Sequence, residues 1–171
     1  MARDTSATAT TTSTTRWLTA AEMTAWRTYI ETYGDLIAAI ERDLAAHNLT
    51  LGDYQVFVYL SEAPERSMRM CDLADVLQLS PSGLTRRLDG LVRSGYVTRE
   101  PSADDRRVML ATLTPAGFAA LERAAPDHVA SVRRHIFDHL DRDDVQALAT
   151  GLGKVAEHLH ARRAGEGASG C

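Results

Sequence analysis

The chain has 171 residues, of which 44% are hydrophobic and 25% charged, and its formal net charge is −4 at pH 7. This length and this ordinary apolar fraction predict one compact domain with tails rather than two domains. No run of 18 apolar residues occurs, which excludes a membrane-spanning helix. The negative net charge does not exclude a polyanionic partner, because such a partner responds to a local basic patch.

The two ends of the chain are rich in small and polar residues. Residues 1–15 are almost entirely Thr, Ala and Ser, and residues 164–171 are mostly Gly and Ala. Such segments bury too little apolar surface to fold, so we predict disordered tails on either side of a domain at 16–163. Because residues 1–15 lack an apolar core of signal-peptide length, we expect a cytoplasmic protein that is not attached to a membrane.

Long amphipathic patterns lie on both sides of the middle of the chain. The first covers about 18–47, and the second covers about 115–162 with a restart after Asp141. Each predicts a helix whose apolar face requires a facing surface, either the core of the same chain or a second copy. The apolar positions are Met23, Trp26, Ile30, Tyr33, Ile37, Ile40 and Leu44 in the first pattern, and Phe118, Leu121, Val129, Val132, Ile136, Leu140, Val145, Leu148, Leu152, Val155 and Leu159 in the second.

Two short helices are predicted in the middle of the chain. The segment Met70–Leu77 carries apolar residues at i, i+3, i+4 and i+7, which is the spacing of one buried helix face. A second helix begins at Ser80-Pro81, where the hydroxyl caps free amides and proline fits the first helical position. Its inward positions are Leu84, Leu88 and Leu91, and Ser94-Gly95 ends it.

The outward face of the second helix is short, polar and basic. Between Pro81 and Arg99 there are four arginines and only one acidic residue, Asp89. One helix fits into the major groove of DNA, where an arginine binds guanine N7 and O6 and smaller side chains contact adenine edges and thymine methyls. We therefore predict that this helix reads bases through Ser82, Thr85, Arg86 and Arg87.

A charged hairpin is predicted directly after the second helix. Residues 96–99 and 108–114 are strand-like and enclose the polar tip 101–107, so that residues 53–114 form a winged helix-turn-helix. We expect Asp105 to hold the guanidinium of Arg107 by charge-assisted hydrogen bonds, and Arg107 to enter a narrow minor groove beside Arg106. Thr114-Pro115-Ala116-Gly117 then begins another helix with a capping hydroxyl and a proline.

The order and spacing of these residues resemble the MarR family of bacterial transcription regulators. The most specific part is the Asp-Arg-Arg wing followed by Leu-Thr-x-x-Gly, and the resemblance covers about residues 18–160. The chain differs from the family at Gly83, where Ser or Thr is commoner. The residues that carry the resemblance are Leu73-Ala74, Leu79-Ser80, Leu84-Thr85-Arg86, Leu88, Leu91, Gly95-Tyr96-Val97, Asp105-Arg106-Arg107 and Leu113-Thr114-Pro115-Ala116-Gly117.

The resemblance implies a mainly α-helical fold with a small β-hairpin wing and dimerisation helices at about 18–47 and 115–162. It also implies a homodimer that binds a pseudo-palindromic, inverted-repeat operator in double-stranded DNA, usually as a repressor. Two recognition helices related by a two-fold axis would read half-sites about 10 bp apart, with each wing on the adjacent minor groove.

Members of the family often release DNA when a small aromatic or anionic molecule, an oxidant or a metal binds. Because the family's ligand cleft lies between the dimer helices and the DNA-reading lobe, we hypothesise an aromatic-acid effector there. Aromatic side chains at helical spacing are also typical of plain core. The candidate effector residues are Trp26, Arg27, Tyr29, Tyr33, Tyr54 and Phe57.

Histidine and cysteine suggest a metal- or redox-sensing regulator of the same fold as an alternative. His135 and His139 have the i, i+4 spacing at which a helix shares a metal ion, but histidines are also common on solvated helix faces. Cys71 would sense oxidants only with an exposed thiol of low pKa, so we interpret it as a small buried hydrophobe. We predict no cofactor.

The remaining alternatives are an enzyme and a winged-helix module that binds another protein. The chain contains no phosphate-binding loop, nucleophile elbow, Cys-x-x-Cys pair or His-Glu-x-x-His motif, which indicates that it is not an enzyme. The interaction module has no need of base-reading charge, whereas Arg86, Arg87 and the Asp105–Arg107 wing supply that charge here.

Overall fold

The computed structural model describes residues 15–166, so the tail predicted at 1–15 lies outside this range except for Thr15. The contacts divide the chain within its first helix into two compact units, one up to Asp35 and the other from Leu36. The helices are α1 (Ala20–Leu44), α2 (Leu51–Glu62), α3 (Met70–Val76), α4 (Pro81–Arg93), α5 (Pro115–His135) and α6 (Arg142–Glu166), and the strands are β1 (Ser67–Arg69), β2 (Val97–Pro101) and β3 (Met109–Leu113).

The first unit contains the N-terminal part of α1. Thr19 and Glu22 begin this helix by exchanging side-chain-to-backbone hydrogen bonds of 3.2 and 2.8 Å, which satisfies amides of the first turn. The predicted apolar face is present, but its members in this unit are exposed. They are Met23, Trp26, Ile30 and Tyr33.

The core of the second unit lies where α2, α3, α4 and the sheet meet. Thr50 and Asp53 form a capping box that begins α2, and Phe57 of this helix is completely buried. Burying this apolar surface stabilises the lobe from which α4 projects. The largest completely buried side chains around Phe57 are Leu44, Val56, Leu60, Leu73, Leu84, Leu88 and Val97.

The predicted helix-turn-helix is confirmed. Gln78 adopts a left-handed conformation (φ 55°) in the turn between α3 and α4, and Ser80 accepts a hydrogen bond of 3.1 Å from the Gly83 amide. Gly95 ends the α4 region at φ 72°, a conformation that glycine adopts without steric cost. These local features fix where α4 starts and stops.

The wing belongs to a three-stranded antiparallel sheet in the order β1-β3-β2. The predicted hairpin strands β2 and β3 pair from Val97 with Leu113 to Pro101 with Met109. The sequence did not predict β1, since three residues are too few to show an alternating pattern. This strand pairs with β3, and the hydroxyls of Ser67 and Thr112 lie 2.8 Å apart.

A close backbone contact joins the wing to α5. Thr114 accepts a hydrogen bond of 3.1 Å from the Gly117 amide and donates one of 2.7 Å to the Gly95 carbonyl, which confirms its predicted capping role. A Cβ atom on Gly117 would lie 2.2 Å from the Tyr96 carbonyl oxygen. Only glycine allows α5 to approach the wing this closely.

The helical pattern after the wing is divided earlier than the sequence suggests. Ile136 (φ −128°, ψ −73°) ends α5, and a 3₁₀ turn at Phe137–His139 precedes α6. Asp141 accepts a hydrogen bond of 2.8 Å from the Asp144 amide and so caps α6 as predicted. Helix α6 continues to Glu166, three residues past the predicted domain boundary at 163, and the rest of the tail predicted at 164–171 lies outside the described residues. None of the helices within residues 15–166 is long and apolar enough to cross a membrane.

Candidate nucleic-acid interface

The N-terminal half of α4 presents small polar groups and one arginine to solvent. Ser82, Thr85 and Arg86 are exposed. The Thr85 hydroxyl donates a hydrogen bond of 2.9 Å to the Pro81 carbonyl, and the Ser82 and Ser80 hydroxyl oxygens lie 3.2 Å apart. This surface therefore combines a guanidinium with hydroxyl groups whose orientation is already restricted.

Arg87 does not join this surface, contrary to the sequence-based expectation. Its side chain is half-buried, and its Nη1 atom occupies the space that a Cβ atom on Gly52 would fill. The physical reason is that Arg87 lies on the flank of α4 that faces α2, where the missing side chain of Gly52 leaves room. Arg87 is thus a packing residue between two helices in this structure.

An ion pair joins α4 to the wing. Arg99 of β2 donates a hydrogen bond of 2.8 Å to Asp89 of α4. In the sequence analysis both residues contributed only to the net charge of the outward face of the second helix. In the structure their ion pair connects α4 to β2. The pair helps to fix the direction of the wing relative to α4.

The predicted orientation of Arg107 by Asp105 is present in the structure. The Arg107 Nε and Nη2 atoms donate hydrogen bonds of 3.1 and 3.0 Å to the two carboxylate oxygens of Asp105, and the Arg107 amide donates a third of 3.0 Å. The Arg107 side chain is nevertheless 91% exposed. These hydrogen bonds lower the pKa of the Asp105 carboxyl and raise that of the Arg107 guanidinium. A charged guanidinium is therefore held in place at an exposed position, next to the exposed Arg106.

A groove of about 820 Å³ lies between α3, the start of α4 and the wing. Its lining includes the arginines Arg69, Arg99 and Arg107 around apolar side chains such as Leu84. Arg69 was missed by the sequence analysis because the strand β1 that ends with it was not predicted. Its positive charge also favours the ionised carboxylate of Asp105. The structure thus adds a third cation, Arg69, to the two that the wing was expected to present.

The proposed effector residues fall into two groups. Trp26, Tyr29 and Tyr33 form an exposed row along α1, with ring centroids 6.4 Å apart for the first pair and 6.2 Å for the second, and Arg27 is exposed beside them. These four residues are accessible and remain candidates for effector binding.

The other two residues belong to the core. Tyr54 is 8% exposed and packs on His128, with their ring centroids 4.2 Å apart. Phe57 is fully buried and packs on Tyr96, with their ring centroids 5.7 Å apart. Burial raises the pKa of the Tyr54 hydroxyl. The expectation that Tyr54 and Phe57 bind an effector is therefore corrected, because the packed interior leaves the Phe57 ring no surface for a ligand.

The histidine pair considered for a metal ion is separated by the end of α5. His135 Nε2 lies 2.9 Å from Asp43 Oδ2, whereas His139 Nε2 lies 2.9 Å from the Arg134 carbonyl oxygen. Because α5 ends at His135, the two histidines do not lie one turn apart on the same helix. Within residues 15–166 no three His, Cys, Asp or Glu side chains are grouped as a metal site would require.

Cys71 is half-buried rather than fully buried as predicted. Its Sγ atom lies 3.6 Å from the Asp72 carboxylate, and it contributes to the lining of the groove. Its position at the start of α3 explains the difference, because this turn faces the groove instead of the core.

Comparison with known proteins agrees with this architecture. A model of the MarR family matches residues 47–108. The HTH-type transcriptional repressor YetL of Bacillus subtilis is 26% identical over 70% of this chain and 71% of its own length. Among solved structures, the MarR family regulator AbsC of Streptomyces coelicolor has a TM-score of 0.81 and 41% identity, covering 86% of this chain and 99% of AbsC. Sco3205 of the same organism, solved in complex with DNA, has a TM-score of 0.81 and 36% identity over 86% of this chain and 92% of its own. With identities above 30% over nearly the whole of two solved relatives, this chain belongs to the MarR family of winged-helix transcriptional regulators.

Proposed function

We propose that this regulator binds an inverted-repeat operator in double-stranded DNA as a homodimer and represses transcription. The observation that carries the proposal is the exposed, bidentate Asp105–Arg107 pair at the wing, on the same side of the lobe as the groove next to the start of α4. An arginine that is already oriented loses less conformational entropy when it binds an anion. A module that only binds proteins has no need of this arrangement.

Base reading is assigned to α4. Arg86 is exposed and suits a bidentate contact to guanine, while Ser82 and Thr85 present hydroxyl and methyl groups for the neighbouring bases. The half-buried Arg87 supports α4 from the side of α2. Specificity is therefore expected to depend on Arg86 more than on Arg87.

The wing and β1 supply contacts to the DNA backbone and the minor groove. Arg107 enters the minor groove, and Arg106 and Arg69 bind phosphates on either side of it. Each phosphate neutralised by a cation releases counterions, so these arginines also determine how steeply affinity falls with salt.

A second copy of the chain is proposed to cover the exposed apolar rows. On α6 these are Leu148, Leu152, Val155 and Leu159, all 42–54% exposed, and they share one face of the helix. On α1 the row from Met23 to Tyr33 has the same character. Contiguous apolar surface of this kind marks an interface between proteins.

The aromatic row of α1 is proposed to take part in effector binding. Trp26 and Tyr33 belong to the apolar face that we assign to the dimer, and Tyr29 stacks between them. An aromatic acid that binds this row and pairs with Arg27 would therefore act at the subunit interface. Quenching of Trp26 fluorescence in a Trp17→Phe background by a panel of aromatic acids tests this, and an unchanged spectrum across the panel contradicts it.

The proposed function is tested by selecting a binding site from random DNA and measuring its affinity by fluorescence anisotropy across a salt series. We expect an inverted repeat, weak binding to a shuffled control and a steep negative slope of log K against log salt. Arg86→Ala should remove sequence preference, and Arg107→Ala should also reduce the slope.

The matched control for these variants is Arg142→Ala, which removes an exposed arginine at the start of α6. Its operator affinity should equal that of the unmodified protein. Selection of no common sequence, or equal losses in all three variants, contradicts the proposal and favours an interaction module.

A further inference from the structure

A polar cluster lies where α1 and α5 meet. Three donors converge on a single oxygen, Oδ2 of Asp43 on α1. The Ser131 hydroxyl donates at 2.6 Å, the Arg134 Nη2 at 2.7 Å, and the His135 Nε2 lies at 2.9 Å. We call these four residues the Asp43 cluster.

The burial of this cluster favours one arrangement of α1 relative to α5. Ser131 is completely buried, and the Asp43 side chain is 31% exposed. A buried hydroxyl without a partner would cost free energy, so Ser131 favours the one arrangement of the two helices in which Asp43 reaches it. The three hydrogen bonds lower the pKa of the Asp43 carboxyl far below its usual range, with Ser131 as the largest cause, so the carboxylate stays charged at every physiological pH.

The cluster holds α5 just beyond a weak point. Pro126 lies inside α5 and lacks the amide that would continue the helical hydrogen bonds. Immediately after it, Asp127 pairs with His47 at 2.8 Å, and the Asp43 cluster follows one turn later. Both connections therefore fix the part of α5 where bending costs least.

The other end of α5 is fixed to the DNA-reading lobe. Gly117 packs on the Tyr96 carbonyl, and Thr114 is hydrogen-bonded to the residues that end α4. The distance along α5 from Gly117 to Ser131 is about 21 Å at 1.5 Å per residue. A rotation of roughly 10° at the cluster would move the other end by about 4 Å, close to the ~3.4 Å rise of one base pair. A loose joint at Asp43 would thus accept more than one operator spacing.

We propose that Asp43 is a positioning residue that restricts the regulator to one spacing between operator half-sites. The proposal rests on the homodimeric DNA binding proposed above. Asp43 lies on the same helix as the apolar row of α1, and it belongs to none of the surfaces assigned to DNA. Ser131 and Arg134 act with it, since they anchor the carboxylate from α5.

The test measures binding to a panel of operators whose half-sites are moved apart or together in steps of one base pair. We expect the unmodified protein to lose at least about tenfold in affinity for each step. Asp43→Asn keeps the shape but removes the charge, and its affinities across three neighbouring spacings should differ by less than about threefold. Ser131→Ala should flatten the profile in the same direction.

Asp138→Asn is the matched control. It removes the same charge from an exposed pair with Arg133, at 3.2 Å, which does not involve α1. Its profile should stay as steep as that of the unmodified protein. A uniform loss of affinity at all spacings in Asp43→Asn would show a merely stabilising role and overturn the proposal, as would a profile that stays steep.

A second readout does not depend on DNA. Spin labels on Ala103→Cys at the exposed wing tip, in a background with Cys71 and Cys171 replaced by serine, report the distance between the two wings of a dimer. Asp43→Asn should broaden this distance distribution, whereas Asp138→Asn should not. If Asp43→Asn does not fold, Ser131→Ala gives the same comparison. An equal distribution in all variants overturns the positioning role, while failure of the unmodified protein to select an operator contradicts the proposed function itself.

Discussion

The DNA-reading lobe and the two outer helices both expose functional surface, but they prepare it differently. In the lobe, charged side chains are held by neighbours in the same chain. The exposed Arg107 is held by Asp105, and the half-buried Arg99 is held by Asp89. Along the N-terminal part of α1 and along α6, the exposed side chains are apolar rows such as Leu148 to Leu159. The surface that we assign to DNA is therefore organised by contacts within one chain, whereas the exposed apolar rows of the outer helices are the surface that we propose a second copy covers.

The largest effect is expected from breaking that association. Leu152→Glu places a charge in the apolar row of α6, and we expect a monomer whose operator affinity is lower by about 100-fold or more, because two linked half-site contacts become one. Sedimentation together with anisotropy measures both quantities. Gln146→Glu adds the same charge on the opposite face of α6 and should remain dimeric. A dimeric Leu152→Glu protein would show that the row serves another purpose.

The next largest effect concerns the joint between the wing and α5. Gly117→Ala brings a Cβ atom against the Tyr96 carbonyl and the Leu113 side chain, and we expect the free energy of unfolding to fall by about 3 kcal/mol. Urea denaturation measures this change. Gly151→Ala on α6 is the control, because no atom lies within 4 Å of its Cβ position and alanine favours a helix by about 1 kcal/mol. Similar stabilities for the two variants would contradict the close contact.

A smaller effect distinguishes orientation from simple charge at the wing. Asp105→Asn removes the carboxylate that holds Arg107, and we expect operator affinity to fall about tenfold, since oriented charge-assisted bonds are lost. Asp104→Asn removes the same charge from the adjacent exposed residue, which should leave affinity equal or slightly higher because DNA is negative. Anisotropy titrations compare the two. Tighter binding by both variants would mean that Asp105 acts only as a repulsive charge.

The sequence predicted those parts of the molecule that depend on residues close together in the chain. Ser80-Pro81, Thr114 with Gly117, and Asp105 with Arg107 each act over two or three residues, and the structure contains their hydrogen bonds. The outer helices were predicted for a related reason, because their periodicity repeats over many turns.

Other features depend on residues that only the fold brings together. Arg87 packs over Gly52 of another helix, and Asp43 meets Ser131 across 88 residues of chain. Strand β1 consists of three residues and is defined by its partner β3. No local pattern carries this information, so the sequence predicted neither the packing of Arg87 over Gly52 nor the positions of Arg69 and the Asp43 cluster.

The smallest predicted effect concerns a buried polar atom between α5 and α2. The rings of His128 and Tyr54 pack together with their centroids 4.2 Å apart. The buried Nδ1 atom of His128 has no hydrogen-bond partner among the described residues. Burial lowers the pKa of His128, so the unfolded chain takes up a proton near pH 6.5 while the native state stays neutral to lower pH. The native state is therefore fully stabilised above about pH 6.5 and loses stability as the pH falls, because the unfolded state then binds more protons.

His128→Phe keeps a ring against Tyr54 and removes both the buried nitrogen and the titration. We expect the free energy of unfolding to rise by about 1 kcal/mol at pH 7 and to depend less on pH between 7 and 5 than it does in the unmodified protein. Urea denaturation at several pH values measures this dependence. An unchanged slope would mean that other groups cause the loss at acid pH, and a less stable variant would mean that Nδ1 has a partner in solution.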